Sequence, residues 1–265
     1  MIRFYYHPTP NPAKVALFLE ETGLPYEVVP VDTSKGQQHA PEFRAINPNG
    51  KVPAIVDTDG PGGAEIRVFD STAILLYLTE KTGKLMGSSA DRGELLSWLF
   101  YIGTGLGPFS GQAVHFQRAA PEKLPYAINR YRREAERHYA VLDTHLEGRS
   151  FIVGDDYTIA DISAWGWIDR ANFVLAGSVI RSPLTGTSNA GSTRSTIGRR
   201  SRERGRWGAA TPLRKKSTMR RAGRSSHRII RRPPLKGHGF DPGARSRAPG
   251  SSSAQSFRLA GRRDA

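Results

Sequence analysis

Asn47-Pro48-Asn49-Gly50-Lys51-Val52-Pro53-Ala54-Ile55-Val56 decides how this chain is read. A polar, turn-forming half runs directly into a β-branched half, and a proline stands at the join. Proline lacks the N–H that a ladder needs, so it belongs at the entry to a strand, and Val52–Val56 reads as a strand entered through a Val-Pro pair. Past the turn-rich Asp57–Gly63, Ile66–Phe69 reads as a second strand. Asp70-Ser71 then opens a helix, Ser71–Thr82, with Ile74, Leu75 and Leu78 on one face and Gly83 as its stop.

Upstream, Ile2–Tyr6 is a short β-branched and aromatic strand stopped by Pro8, Pro10 and Pro12. Pro12 suits the first turn of a helix and Asn11 the N-cap before it, with Gly23 closing the helix after Thr22. Tyr26–Val31 is a further strand, and Pro41–Ile46 a short helical stretch. The order β-α-β, bridge, β-β-α makes one α/β layer pair. Downstream of Gly87 the pattern turns helical only. Asp91–Tyr101 and Tyr126–Leu146 carry apolar stripes of period 3.6, with a Gly-rich break expected at Gly103–Gly107. Thr158-Ile159-Ala160-Asp161 is a capping-box variant, with Tyr157 and Ile162 placed as a hydrophobic staple. The helix it opens is apolar on most sides (Ile162, Ala164, Trp165, Trp167, Ile168) and belongs in a core.

Charge divides the chain at a seam. Residues 1–177 hold 17 Lys+Arg against 21 Asp+Glu, a net of −4, whereas residues 178–265 hold 22 against 3, a net of +19. The sequence pI of about 10.4 therefore describes neither part. With no cysteine, the chain has no disulfide framework, no Cys-containing zinc site and no CxxC redox centre. Any thiol chemistry needs a thiol brought by a ligand. No run of apolar residues is long enough to span a bilayer and no signal-peptide pattern opens the chain, so a cytoplasmic location is expected.

Thr9-Pro10-Asn11 after the first strand, Val52-Pro53 before the third and Asp70-Ser71 after the fourth together resemble a cytosolic glutathione transferase, in its bacterial nu-class and Ure2-like branch. Tyr5–Asn11, Leu17–Glu21, Asn47–Val56, Phe69–Leu78, Trp98-Leu99-Phe100 and Tyr157–Asp161 carry the resemblance across residues 1 to about 177. It implies a thioredoxin-like α/β domain over residues 1–86. An all-α transferase domain, incomplete here, follows over 88–177, and then a disordered basic tail over 178–265. It also implies a homodimer, with glutathione as substrate beside a small electrophile or disulfide.

The resemblance implies roles for particular residues. A cis bond before Pro53 would turn the Val52 backbone outward, to pair with the cysteinyl part of glutathione as an added strand; a plain turn proline is the alternative. The N–H groups opening the Ser71 helix, with the Ser71 hydroxyl, can hold the γ-glutamyl carboxylate, and Asp70 can hold the ligand amine. An ordinary N-cap pair is the plainer reading. Thr9 and Asn11 are the candidates for stabilising the glutathione thiolate, since a free thiol titrates near pKa 8.5 and must lose its proton to attack. Tyr5 and Tyr6 are alternative phenolic donors, of which strand alternation lets one face the site. Gln38 matches a contact to the glycine end of glutathione, and Arg130 an arginine that helps bind a second glutathione; a solvated residue is the alternative for each. His39, His115, His138 and His145 lack metal-ligand spacing with carboxylates, and no metal is expected.

Two rival function classes remain. A non-catalytic protein of this fold would bind glutathione without turnover. The Arg-rich tail would bind polyanions through counterion release, as a property of composition rather than a functional nucleic-acid site. The tail has another reading, a slipped frame. Back-translation from Thr185 to Arg200 with two bases skipped allows Arg-Asn-Leu-Lys-Arg-Trp-Phe-Asp-Ala-Val-Asp-Asp-Arg-Pro-Ala. That resembles the helix that follows the capping-box helix in glutathione transferases. The shift would remove helices packed on Ile162–Val174, leaving exposed apolar surface, marginal stability and weak activity. The coding DNA tests this: one insertion or deletion near the Gly177 and Ser178 codons should restore a family-like frame, and its absence would refute the slip.

Overall fold

The computed structural model describes residues 1–176; the basic tail and the proposed frame slip lie outside the described residues. The chain opens β1 (Ile2–Tyr6), α1 (Pro10–Thr22), β2 (Tyr26–Pro30), and continues through a short helix α2 (Pro41–Arg44) to β3 (Ala54–Asp57), β4 (Ile66–Phe69) and α3 (Ser71–Thr82). The four strands form one mixed sheet in the order β2-β1-β3-β4. β1 runs parallel to β2, with Ile2 opposite Tyr26, and antiparallel to β3, with Tyr5 opposite Ala54. β3 is antiparallel to β4, Ala54 facing Phe69.

Ala54 is thus flanked by Tyr5 and Phe69, and this register matters for function. It brings the exit of β1, the entry of β3 and the exit of β4 to one end of the sheet. Alternation then sorts the side chains: Ile2 and Phe4 join the main core with α1 and α3, while Tyr5 packs on Phe43 in a smaller cluster with Val31 and Ala54.

The helical half comprises α4 (Arg92–Tyr101), α5 (Gly107–Val114), α6 (Pro125–His145), α7 (Ile159–Ile168) and α8 (Ala171–Val174). The expected break at Gly103–Gly107 is not a break. Ile102–Leu106 is a π-helical turn that carries α4 straight into α5. Its glycines serve close approach instead. A Cβ on Gly103 would lie 2.6 Å from the Thr72 hydroxyl, and one on Gly107 would lie 2.9 Å from the Trp167 indole nitrogen. Gly105 likewise makes room for the buried His138 ring.

The capping box forms as expected. The Thr158 hydroxyl accepts from the Ala160 N–H at 3.2 Å, and the Asp161 carboxylate accepts from the Thr158 N–H at 2.9 Å. Asp161 also accepts from the Ile152 N–H at 2.9 Å, joining the helix to the segment before it. The helix so started is buried, and among the described residues the apolar exposure expected over Ile162–Val174 is confined to Phe173. α1, α3, α4 and the π-helical turn pack against α7, and Val174 and Leu175 are buried too. Phe173 is the more open residue, 45% exposed, with the Arg118 guanidinium 3.8 Å above its ring. Among the described residues this cover comes from both halves: α1 and α3 of the α/β layer, and α4 and the π-helical turn of the helical half.

Asp161→Ala would leave two buried backbone N–H groups without an acceptor and remove half of the box. The expected loss is about 2–4 kcal/mol, read as a lower urea midpoint at unchanged m-value.

Candidate active site

Three loops meet at the sheet end that Ala54 marks. In the first, the helix starts earlier than the sequence pattern suggests. Thr9, in extended geometry (φ −127, ψ 164), is the N-cap of α1, and Asn11 lies inside the first turn. Pro10 explains the shift: it fits the first helical position as well as Pro12 fits the third. The Thr9 hydroxyl makes no capping bond. It is left open beside the helix N-terminus, where an anion is favoured.

The second loop carries the Val52–Pro53 bond, which is cis as the resemblance implied. Among the described residues neither the N–H nor the carbonyl of Val52 has a hydrogen-bond partner. The loop before it is held by Asn47, whose side chain donates to the Lys51 carbonyl and accepts from the Asn49 N–H at 3.0 Å. Gly50 has φ +63 and sits under the Gln38 carbonyl, 3.1 Å from where its Cβ would be. This packing brings Gln38 to the loop. Its amide oxygen is buried with no partner among the described residues, and its amide nitrogen lies 3.2 Å from the His39 ring.

At the third loop Asp70 adopts φ +71, a sparsely populated conformation for a residue with a Cβ. Its Oδ1 accepts from the Thr72 N–H at 2.8 Å and the Ala73 N–H at 3.4 Å. Asp70 is therefore a true N-cap, yet the Ser71 N–H and hydroxyl beside it engage nothing among the described residues. They are unengaged donors at the start of a twelve-residue helix, where an anion is favoured.

The phenolic alternatives are each engaged in ring packing. Tyr5 packs on Phe43, and Tyr6 stands 5.5 Å from Phe4, its hydroxyl pushed above its ordinary pKa by burial and drawn back by Arg170. Arg130 is not brought to the three loops through its contacts. Its side chain is 55% exposed on α6 and pairs with Glu134 at 3.1 Å. His138 and His145 set ring nitrogens 2.7 Å from the Glu134 and Ile152 carbonyls, respectively. Among the described residues no group of three His, Cys, Asp or Glu is placed to hold a metal.

Two residues escaped sequence reasoning. Trp167, assigned only to the core, donates its indole N–H to the Asn11 side-chain oxygen at 3.1 Å. No sequence signal could tie positions 156 residues apart. Lys14 had one signal: it lies three residues after Asn11, on the same helical face. It is 1% exposed. Its stem fills the space beside Gly166 of α7, where a Cβ would lie 2.7 Å from the Lys14 Cγ and 2.8 Å from the Pro10 carbonyl oxygen. Burial lowers its ammonium pKa to about 8, and the Asp70 carboxylate opposes that shift.

With this geometry in place, the comparisons are specific. The family model for the glutathione S-transferase N-terminal domain matches residues 9–81, and that for the C-terminal domain matches 125–188. The disulfide-bond oxidoreductase YfcG of Escherichia coli is 48% identical over 171 residues, covering 64% of this chain and 80% of YfcG. The chain belongs to the glutathione S-transferase family. The disulfide-bond oxidoreductase YghU of the same organism is 42% identical over 195 residues, 67% of this chain and 66% of YghU. Among solved structures, a Pseudomonas fluorescens family member with two glutathiones bound superposes with a TM-score of 0.67 at 40% identity, covering 75% of this chain and 87% of that one. The transferase Ure2p8 of Phanerochaete chrysosporium, with oxidised glutathione, gives 0.65 at 34% identity, covering 77% and 94%.

Lys14 yields a pH test. The folded state releases its proton near pH 8 and the unfolded chain near 10.5, so between these values the unfolded chain binds more protons and stability rises with pH. Below pH 8 the full cost of the buried charge is present. Lys14→Met should stabilise the chain at pH 7 by something on the order of 3 kcal/mol and abolish the alkaline rise, measured by urea denaturation at pH 7 and pH 9.5.

Proposed function

We propose that this chain is a glutathione-dependent enzyme of the transferase type, with disulfide reduction as its main reaction and conjugation of a small electrophile as its second. The observation that carries the reading is the register at Ala54, which gathers three unspent sets of polar groups at one sheet end. Glutathione is an extended peptide with complementary groups in the same order. Its γ-glutamyl carboxylate meets the Ser71 N–H and hydroxyl, and Asp70 Oδ2 remains for the amine. Its cysteinyl backbone pairs with Val52, and its thiol reaches Thr9 and Asn11. Gln38 lies towards the glycine end.

The chemistry then balances without a protein cysteine. The thiolate of one glutathione attacks a sulfur of the disulfide, forming a mixed disulfide and releasing one substrate thiolate. A second glutathione thiolate attacks the glutathione sulfur of that mixed disulfide and releases the other. Two glutathiones are oxidised to one glutathione disulfide, and the two electrons reside on the substrate thiols. Arg130, with its exposed guanidinium, is the residue proposed to meet the second glutathione. In conjugation the same thiolate attacks an electrophilic carbon. Both reactions need reduced glutathione, which suits the cytoplasm, and YfcG and YghU, named as disulfide-bond oxidoreductases, favour the first.

Thr9→Val and Asn11→Ala each remove a donor to an anion. Each should lower kcat/KM for a small dialkyl disulfide by about 10- to 100-fold, followed as glutathione disulfide formed per turn. Retention on glutathione-agarose with no turnover of either a disulfide or a chloronitrobenzene would favour the non-catalytic rival instead.

A further inference from the structure

An indole N–H can only donate. The atom of Asn11 that faces Trp167 Nε1 at 3.1 Å is therefore its carbonyl oxygen, because the flipped amide would set N–H against N–H. An amide is planar and two-faced. With Oδ1 turned to the indole, the Nδ2 hydrogens are directed away from α7. Asn11 then offers donors to a thiol lying between it and Thr9.

The indole is itself held tightly. Its ring lies against Gly107, where a Cβ would come within 2.9 Å of Nε1, and against Gly111, at 3.7 Å. The Trp167 carbonyl accepts from the Tyr139 hydroxyl at 3.1 Å, and that hydroxyl accepts from Ser110 at 3.3 Å. Tyr139 and Ser110 are completely buried and Trp167 nearly so. These bonds fix the α7 backbone from which the indole projects, and an indole that turned would take its N–H from the Asn11 oxygen.

We propose that Trp167 is a positioning residue that sets the orientation of the Asn11 amide, so that Asn11 presents N–H groups and not its oxygen to the glutathione sulfur. The proposal rests on the reading of Asn11 as a thiolate-stabilising residue. A donor aimed at sulfur favours the anion, whereas an oxygen there would oppose it. Acting through Asn11, Trp167 thus decides the sign of the Asn11 contribution. Through it, a glycine-lined slot in the helical half governs the chemistry of a loop in the α/β half.

The test is the pH dependence of the bound thiol, followed in the full chain by thiolate ultraviolet absorbance and by the kcat profile. Trp167→Phe keeps an aromatic ring and removes the donor. It should raise the apparent thiol pKa by about one unit and lower kcat about 10-fold near neutral pH, with recovery at alkaline pH and a smaller change in KM. In an Asn11→Ala background the same substitution should add no further shift. A shift for Asn11→Ala but none for Trp167→Phe, or additive shifts in the double variant, would overturn the role of Trp167. No shift for Asn11→Ala would instead overturn the reading of Asn11 itself. If Trp167→Phe does not fold, the Trp167 indole proton in Asn11→Ala serves by NMR: an upfield move with faster exchange supports the proposal, and an unmoved resonance contradicts it.

Discussion

The close crossing of α7 over α1 is the constraint on which the rest depends. Gly166 makes it possible, since any side chain there would strike both the Pro10 carbonyl and the Lys14 stem. Once the helices touch, Trp167 reaches Asn11, Lys14 is sealed from water, and the first turn of α1 is fixed relative to the sheet. The capping box at Thr158 and Asp161 determines where α7 starts and therefore which residues meet α1. Stability and site geometry are thus one problem of helix placement.

The charges around the proposed glutathione site suit an anion. Helix N-termini at Thr9 and Ser71 supply partial positive charge, and Lys14 supplies a whole one at a cost in stability. A buried lysine that weakens the fold is intelligible where the ligand carries two carboxylates and a thiolate. Asp70 is the counterweight. It caps α3 with one oxygen and attracts the Lys14 charge, so the same carboxylate serves backbone and lysine, and the proposed function adds the ligand amine.

Much of this was legible in the sequence because short-range rules wrote it there. Proline at a strand entry, Asp-Ser before an apolar stripe, and Thr-x-x-Asp before Ile162 each act within a few residues, and each formed. The failures came from long-range demands. Gly103, Gly105 and Gly107 looked like a helix break, but they are small because Thr72, His138 and Trp167 press on them from three other helices. Asn11 looked like an N-cap until Pro10 claimed the first helical position. The apolar α7 was expected to lie bare if a slipped frame had cost it downstream partners, yet among the described residues α1, α3 and α4, all upstream, pack against it. The basic segment after residue 177, proposed to be out of frame, lies outside the described residues.

Everything proposed for this protein turns on glutathione lying across the three loops gathered at Ala54. An NMR titration of backbone amides in the full chain with reduced glutathione tests it most directly. The account predicts the largest shift changes at Val52 and Ser71, with Thr9 and Asn11 following at the thiol end. Saturable binding with these four amides unmoved, or shifts confined to α6, would contradict it.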